Sequence, residues 1–218
     1  MITVTEQRNL EQILKSLKKY KKVFIIGCGT CATMLHTGGK SEVQAMKAKL
    51  EEAGKQVTGW MVIPTACDEL TKEALAESAK ELADADSILV MTCAFGVQTV
   101  GRHAKKPVTP ALNTLFIGKE EQPGIITELC VQCGRCVLDI TGGICPVAQC
   151  AKRLMNGPCG GSVAGKCEIS KDTPCAWQLI IDRLTEQGRL EELEEIQPVR
   201  DWSQSTGPRK IVVKTGTL

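Results

Sequence analysis

The chain has 218 residues, 27 Lys and Arg against 25 Asp and Glu, a formal charge of +2 and 43% apolar residues. That is enough apolar material for one or two buried cores, and it excludes a disordered chain or a nucleic-acid binder acting through global charge. Three Trp, three Phe, one Tyr and two His stand against twelve Cys. This balance argues against aromatic stacking platforms and histidine acid-base chemistry, and makes cysteine the functional residue.

The first twenty residues carry acids early and no continuous apolar run, and no stretch approaches about 18 apolar residues, so neither an export signal nor a membrane span is expected. A cytoplasmic, reducing location follows as an expectation. There, closely spaced cysteines read as metal or iron-sulfur ligands and not as disulfides.

Leu10, Ile13, Leu14 and Leu17 recur at the spacing of one helical face, in a helix that ends before Lys21. Its lysines (Lys15, Lys18, Lys19, with Lys21 and Lys22) read as a solvated face. Val23 to Gly27 is a continuous apolar run, as in a strand buried on both sides. The loop Gly27-Cys28-Gly29-Thr30-Cys31-Ala32 also satisfies a dinucleotide-binding fingerprint. However, Ile63-Pro64-Thr65-Ala66-Cys67 stands where that motif needs an acidic residue. Gly38-Gly39-Lys40-Ser41 resembles the end of a phosphate loop but lacks its first Gly; Ser41 with Gln44 reads instead as a capping box, and Gly54 as the left-handed stop. A strand over 57–63, a helix over 68–82, a strand over 87–91, a short helix after Phe95 and a last strand over 114–117 complete the alternation. This pattern predicts an α/β, Rossmann-like domain over 1–124 with a parallel sheet.

Under that reading Cys28 and Cys31 follow the first strand, Cys67 the second and Cys93 the third. All four therefore gather at the carboxyl edge, where open parallel sheets bind ligands. Cys67, directly before the helix expected from Asp68, is expected to be favoured as thiolate. Packing of the four as small buried hydrophobes is the plainer alternative.

Eight cysteines crowd the segment from Cys130 to Cys175, and the change in density sets a boundary near Gln122-Pro123-Gly124, with a cysteine-rich domain over 125–218. Cys130-x2-Cys133-x2-Cys136 is the spacing that wraps one corner of a cuboidal 4Fe-4S cluster. Its fourth ligand is left open among Cys145, Cys150, Cys159, Cys167 and Cys175, with Cys175 or Cys145 favoured by ferredoxin-like interleaving. The set Cys145, Cys150, Cys159, Cys167 fits a cluster about as well as it fits zinc, which also takes four thiolates, or structural thiols. Asp172-Thr173-Pro174 signals a helix start with Cys175 in its first turn. Trp177, Ile180, Ile181 and Leu184 then form an apolar stripe, extended by Leu190, Leu193 and Ile196. Lys210 to Lys214 reads as an arm able to add a strand to a partner. His36 and His103 read as structural or surface residues, and no nucleophile or paired-carboxylate motif is present, leaving a carrier of electrons.

The runs Cys130-Val-Gln-Cys133-Gly-Arg-Cys136, Gly143-Ile-Cys145-Pro-Val-Ala-Gln-Cys150, Asn156-Gly-Pro-Cys159-Gly-Gly and Cys175-Ala-Trp-Gln resemble the cysteine-rich, MetV-type small subunits of acetogen methylenetetrahydrofolate reductase and the related carboxyl-terminal domain family. The resemblance implies an iron-sulfur electron-transfer subunit of one-carbon metabolism in the Wood-Ljungdahl pathway. Its partner would be a flavin-containing catalytic subunit that reduces methylenetetrahydrofolate to methyltetrahydrofolate, with room in the complex for further electron-transfer subunits or ferredoxin. Twelve thiols allow two or three 4Fe-4S clusters, or two and a zinc. A zinc-binding scaffold subunit of the same complex is the alternative.

Overall fold

A computed structural model describes residues 1–205 and 207–210, which form a first compact unit, Met1–Ile126, and a second that begins at Thr127. The first unit carries β1 (Ile2–Gln7), α1 (Leu10–Ser16), β2 (Lys22–Cys28), α2 (Cys31–Met34), α3 (Lys40–Glu52) and β3 (Gln56–Ile63). It continues with α4 (Thr71–Glu77), α5 (Ala79–Asp84), β4 (Ser87–Met91), α6 (Ala94–Ala104), β5 (Val108–Pro110) and β6 (Leu112–Gln122), and β7 (Ile125–Thr127) follows.

The expected α/β architecture is present. Four parallel strands lie in the order β3-β2-β4-β5. The chain order reverses between β2 and β4, so their carboxyl ends flank a topological switch point. β2 takes the inner position because every residue from Val23 to Cys28 is buried. Successive side chains of a strand point to opposite faces. Phe24, Ile26 and Cys28 accordingly meet Leu75, Leu82 and Val100 on one side, while Val23 and Ile25 meet Ile13, Leu17, Val43, Met46 and Leu50 on the other. Burying each of these large aliphatic chains contributes roughly 1.5–3 kcal/mol. α1 is held in register by Asn9, whose Oδ1 accepts from the Gln12 amide at 2.8 Å while Gln12 Oε1 accepts from the Asn9 amide at 3.3 Å, a reciprocal cap.

Several local expectations are corrected. α3 starts at Lys40, and its cap is Gly39, whose amide donates to Glu42 Oε2 at 2.9 Å; Ser41 merely donates to Glu42 Oε1 at 3.1 Å. Gly54 does stop this helix, with φ +79°. The helix expected from Asp68 begins only at Thr71, because Asp68 Oδ1 accepts from the Leu70 amide at 2.9 Å and holds a turn there. It also breaks at Ser78, giving α4 and α5. The stretch 114–117 lies in β6, which pairs antiparallel with β1 in a second sheet of order β1-β6-β7, and the fourth parallel strand is the short β5.

The second unit has little regular structure: α7 (Pro146–Gln149), α8 (Ala176–Glu186), and 3-10 turns at Leu190–Glu194 and Ser203–Ser205. Its core is Trp177, Ile180 and Leu184 of α8, packed by Ile144, Leu154 and Leu193. Trp177 Nε1 donates to the Leu154 carbonyl at 3.1 Å, so the buried indole is satisfied. The expected stripe shortens, since Leu190 and Ile196 are exposed. Cys175, expected in the first turn of this helix, is its cap residue and stands just before that turn. Of the expected Lys210 to Lys214 arm, all but Lys210 lies outside the described residues.

Candidate metal centres

The first group of thiols sits at the carboxyl rim of the parallel sheet. Cys28 ends β2, Cys31 opens α2, Cys67 lies in the loop between β3 and α4, and Cys93 caps α6 directly after β4. Cys28 and Cys93 are buried, Cys31 is half-buried and Cys67 is exposed. The rim closes because three glycines leave no room for a side chain. A Cβ on Gly38 would lie 1.9 Å from the Met91 carbonyl oxygen, one on Gly27 2.4 Å from the Gly38 oxygen, and one on Gly29 3.0 Å from the Pro64 oxygen. Backbone bonds lock the same approach: the Cys28 amide donates to Gly38 at 3.0 Å and the Gly29 amide to Ile63 at 2.8 Å.

Burial pushes the Cys67 thiol up, and Cys93, Cys28 and Cys31, in that order, push it further as like charges. The thiolate-favouring helix start expected at Cys67 is absent, because α4 begins four residues later. The other three thiols are thus within electrostatic reach of Cys67. Cys28 Sγ also lies 3.2 Å from Thr30 Oγ1, a polar contact with the sulfur that sequence reading did not single out.

The same geometry disposes of two sequence motifs. Gly27 and Gly29 are consumed by strand packing, and α2 is four residues long, so the fingerprint lacks the helix terminus that holds a pyrophosphate. Gly38 and Gly39 pack against Met91 and cap α3. His36 is exposed, whereas His103 is half-buried in α6, its buried Nε2 3.7 Å from Glu69 Oε2.

The second group is the loop Cys130, Cys133, Cys136. Gln132 and Gly134 adopt positive φ (51° and 88°), which folds the three cysteines around a tight bend. Cys133 is buried, whereas Cys130 and Cys136 are exposed. Arg200, Gln204 and Arg209, later in the chain, contact this bend. Arg200 Nη2 donates to Cys133 Sγ and to the Arg135 carbonyl, Arg209 Nη1 donates to the Gln132 carbonyl at 3.1 Å, and Gln204 packs on Gly134 where a Cβ would lie 2.9 Å from it. A cavity of about 180 Å³ beside the bend is lined by Arg135, Cys136, Arg200 and neighbours.

The third group differs from the set read from spacing. Cys150, Cys159, Cys167 and Cys175 line one small cavity of about 20 Å³, with Lys152, Glu168 and Trp177, and Cys145 is not among its lining residues. Local turns bring the four together. Val163 bridges Lys166 across Ala164 and Gly165, both at positive φ, the geometry of a tight hairpin. Lys166 then bridges Pro174, and the Cys175 amide donates to the Gly165 carbonyl at 2.8 Å. Lys152 pairs with Glu168, which raises the lysine pKa, and Cys159 adds in the same direction. Cys145 instead caps α7.

Among the described residues no three His, Cys, Asp or Glu side chains are placed to hold a metal ion. A mononuclear zinc needs its sulfurs within about 2.3 Å of one point, whereas a cuboidal cluster binds each thiolate to a different iron and keeps its ligands apart. The cavity of the third group, about 20 Å³, takes one water-sized body. Among the described residues, no helix is long and apolar enough to cross a membrane.

Residues 109–203 match the family model described as "Methylene-tetrahydrofolate reductase C terminal". That match covers all eight cysteines from Cys130 to Cys175, and this part of the chain is similar to that reductase-associated domain. No curated protein and no solved structure matches the chain.

Proposed function

We propose that the chain is an iron-sulfur electron-transfer subunit of a methylenetetrahydrofolate reductase complex of the MetV type. The observation that carries this reading is the gathering of four thiols at the switch point of a parallel sheet, with Cys28, Cys31 and Cys93 all acting on Cys67. The family match over 109–203 supports the choice of reductase.

Two 4Fe-4S clusters and one zinc account for the thiols. Cys28, Cys31, Cys67 and Cys93 would hold one cluster; Cys130, Cys133 and Cys136, with Cys145 as the thiol left over, would hold the second. Cys150, Cys159, Cys167 and Cys175 would hold zinc. The clusters supply reversible one-electron storage. The protein's share of the work is positional. Burial of Cys28, Cys93 and Cys133 keeps water from part of each centre, and Gly27, Gly29 and Gly38 hold three strand ends at fixed separation. Gln132 and Gly134 present the Cys130 bend. The recipient is the flavin of a catalytic partner that reduces methylenetetrahydrofolate to methyltetrahydrofolate, in the Wood-Ljungdahl pathway and in the cytoplasm.

Mixing the anaerobically reduced chain with the oxidised flavin subunit tests this. Bleaching of the flavin absorbance, lost when Cys31 or Cys133 is replaced by Ser, is expected. Flavin left oxidised by the fully loaded, reduced chain would overturn it. The small third cavity favours a second reading, a zinc-stabilised scaffold of the same complex, under which no iron is found at any group.

A further inference from the structure

We infer that Arg200 raises the reduction potential of the centre held by Cys130, Cys133 and Cys136, acting as a positioning residue on the Cys133 sulfur; this rests on the iron-sulfur reading above. The two residues are 67 positions apart, yet Arg200 Nη2 donates to Cys133 Sγ and, at the same time, to the Arg135 carbonyl inside the triplet. The guanidinium also lies over the ring of Trp202, whose centroid is 5.3 Å from Cζ. The segment carrying it is pinned by Gln204 on Gly134 and by Arg209, which bridges the Gln132 and Gln204 carbonyls at 3.1 Å each. The cation is therefore fixed at the sulfur.

Cys133 is 8% exposed and Arg200 Nε is buried, so the bond is partly buried and water screens it less than at an open surface. One electron added to the centre places further negative charge on its ligand sulfurs. A guanidinium N–H at one of those sulfurs stabilises the reduced form more than the oxidised form, and the potential rises. Lysine keeps the charge without the planar fork that serves the sulfur and the carbonyl together, so it reproduces the effect only in part. A purely structural Arg200 would hold the bend without moving the potential.

The test is a redox titration with dithionite, followed by low-temperature paramagnetic resonance, on the full chain and its Arg200→Gln and Arg200→Lys variants. Iron content is measured alongside. The expected result is unchanged iron and one signal shifted to more negative potential, more in Arg200→Gln than in Arg200→Lys, while the other signal stays in place. Wild-type potentials in both variants would overturn the inference. If Arg200→Gln loses iron, the Lys variant decides alone: a negative shift supports the proposal and a wild-type value refutes it. Failure of the underlying reading shows elsewhere, as a Cys133→Ser variant that retains all of the iron of the unaltered chain.

Discussion

Replacing Gly38 with Ala probes the packing that brings the strand ends together. The new Cβ would stand 1.9 Å from the Met91 carbonyl oxygen, 2.9 Å from its carbon and 3.1 Å from its Cβ. The obstacle is the backbone at the end of an interior strand, with no flexible side chain to swing aside, so the cost falls at the upper end of overpacking, about 3 kcal/mol. Stiffening of the unfolded chain by Ala offsets at most about 1 kcal/mol. A net loss of about 2 kcal/mol, divided by a urea slope of about 2 kcal/mol/M, lowers the unfolding midpoint by about 1 M. The assay is urea unfolding followed by circular dichroism. Since the clash separates Met91 from the Cys28 loop, iron bound at the first group should also fall. Gly54→Ala is the control: its φ of +79° makes Ala costly by about 1–2 kcal/mol, but nothing lies within 4 Å and iron should be untouched. A Gly38→Ala midpoint equal to or above that of the unaltered chain would refute the reasoning.

Ile180 is fully buried in the core of the second unit, and Ile180→Ala should cost about 2–5 kcal/mol, read as a lower melting temperature of that unit. Cys167→Ser or Cys159→Ser should release the zinc without changing iron, measured by metal analysis; a parallel loss of about four iron would assign a cluster to that cavity. The Asp86 carboxyl is held below its usual range by the Lys22 and Lys21 amides, which donate to Oδ2 at 2.8 and 3.0 Å. A depressed folded pKa stabilises above the unfolded value and is lost as pH falls through the folded one. The stability gap between the unaltered chain and Asp86→Asn should therefore be full near neutrality and close in acid; an equal gap at both would exclude the carboxylate as its source.

The elements that were legible are those whose own residues carry the pattern. Val23 to Gly27 and Ser87 to Met91 are unbroken apolar runs, and strands buried on both faces read that way. β1 escaped because Ile2 to Gln7 mixes Thr and Val with Glu and Gln, a half-buried edge pattern with little apolar weight. β5 escaped because it is three residues long, follows Pro107 and ends in Pro110. The misplacement of 114–117 has a different origin: periodicity tells that a segment is extended, while its partner is chosen by distant residues, here β1 some hundred positions earlier.

At the candidate sites, strand ends and spacing mark the cysteines one by one, but their grouping depends on turns. Cys175 joins Cys150, Cys159 and Cys167 because the Ala164-Gly165 hairpin returns the chain to Pro174. No local pattern foretold Arg200, since its only link to Cys133 is tertiary. The upward shift of the Cys67 thiol comes first from burial and then from three neighbouring sulfurs, neither of which its flanking residues reveal.

The most direct measurement is a count of iron, acid-labile sulfide and zinc on the anaerobically purified chain. Two clusters and one zinc predict a brown protein with about eight iron, about eight sulfide and one zinc per chain. A colourless preparation containing zinc alone would contradict them.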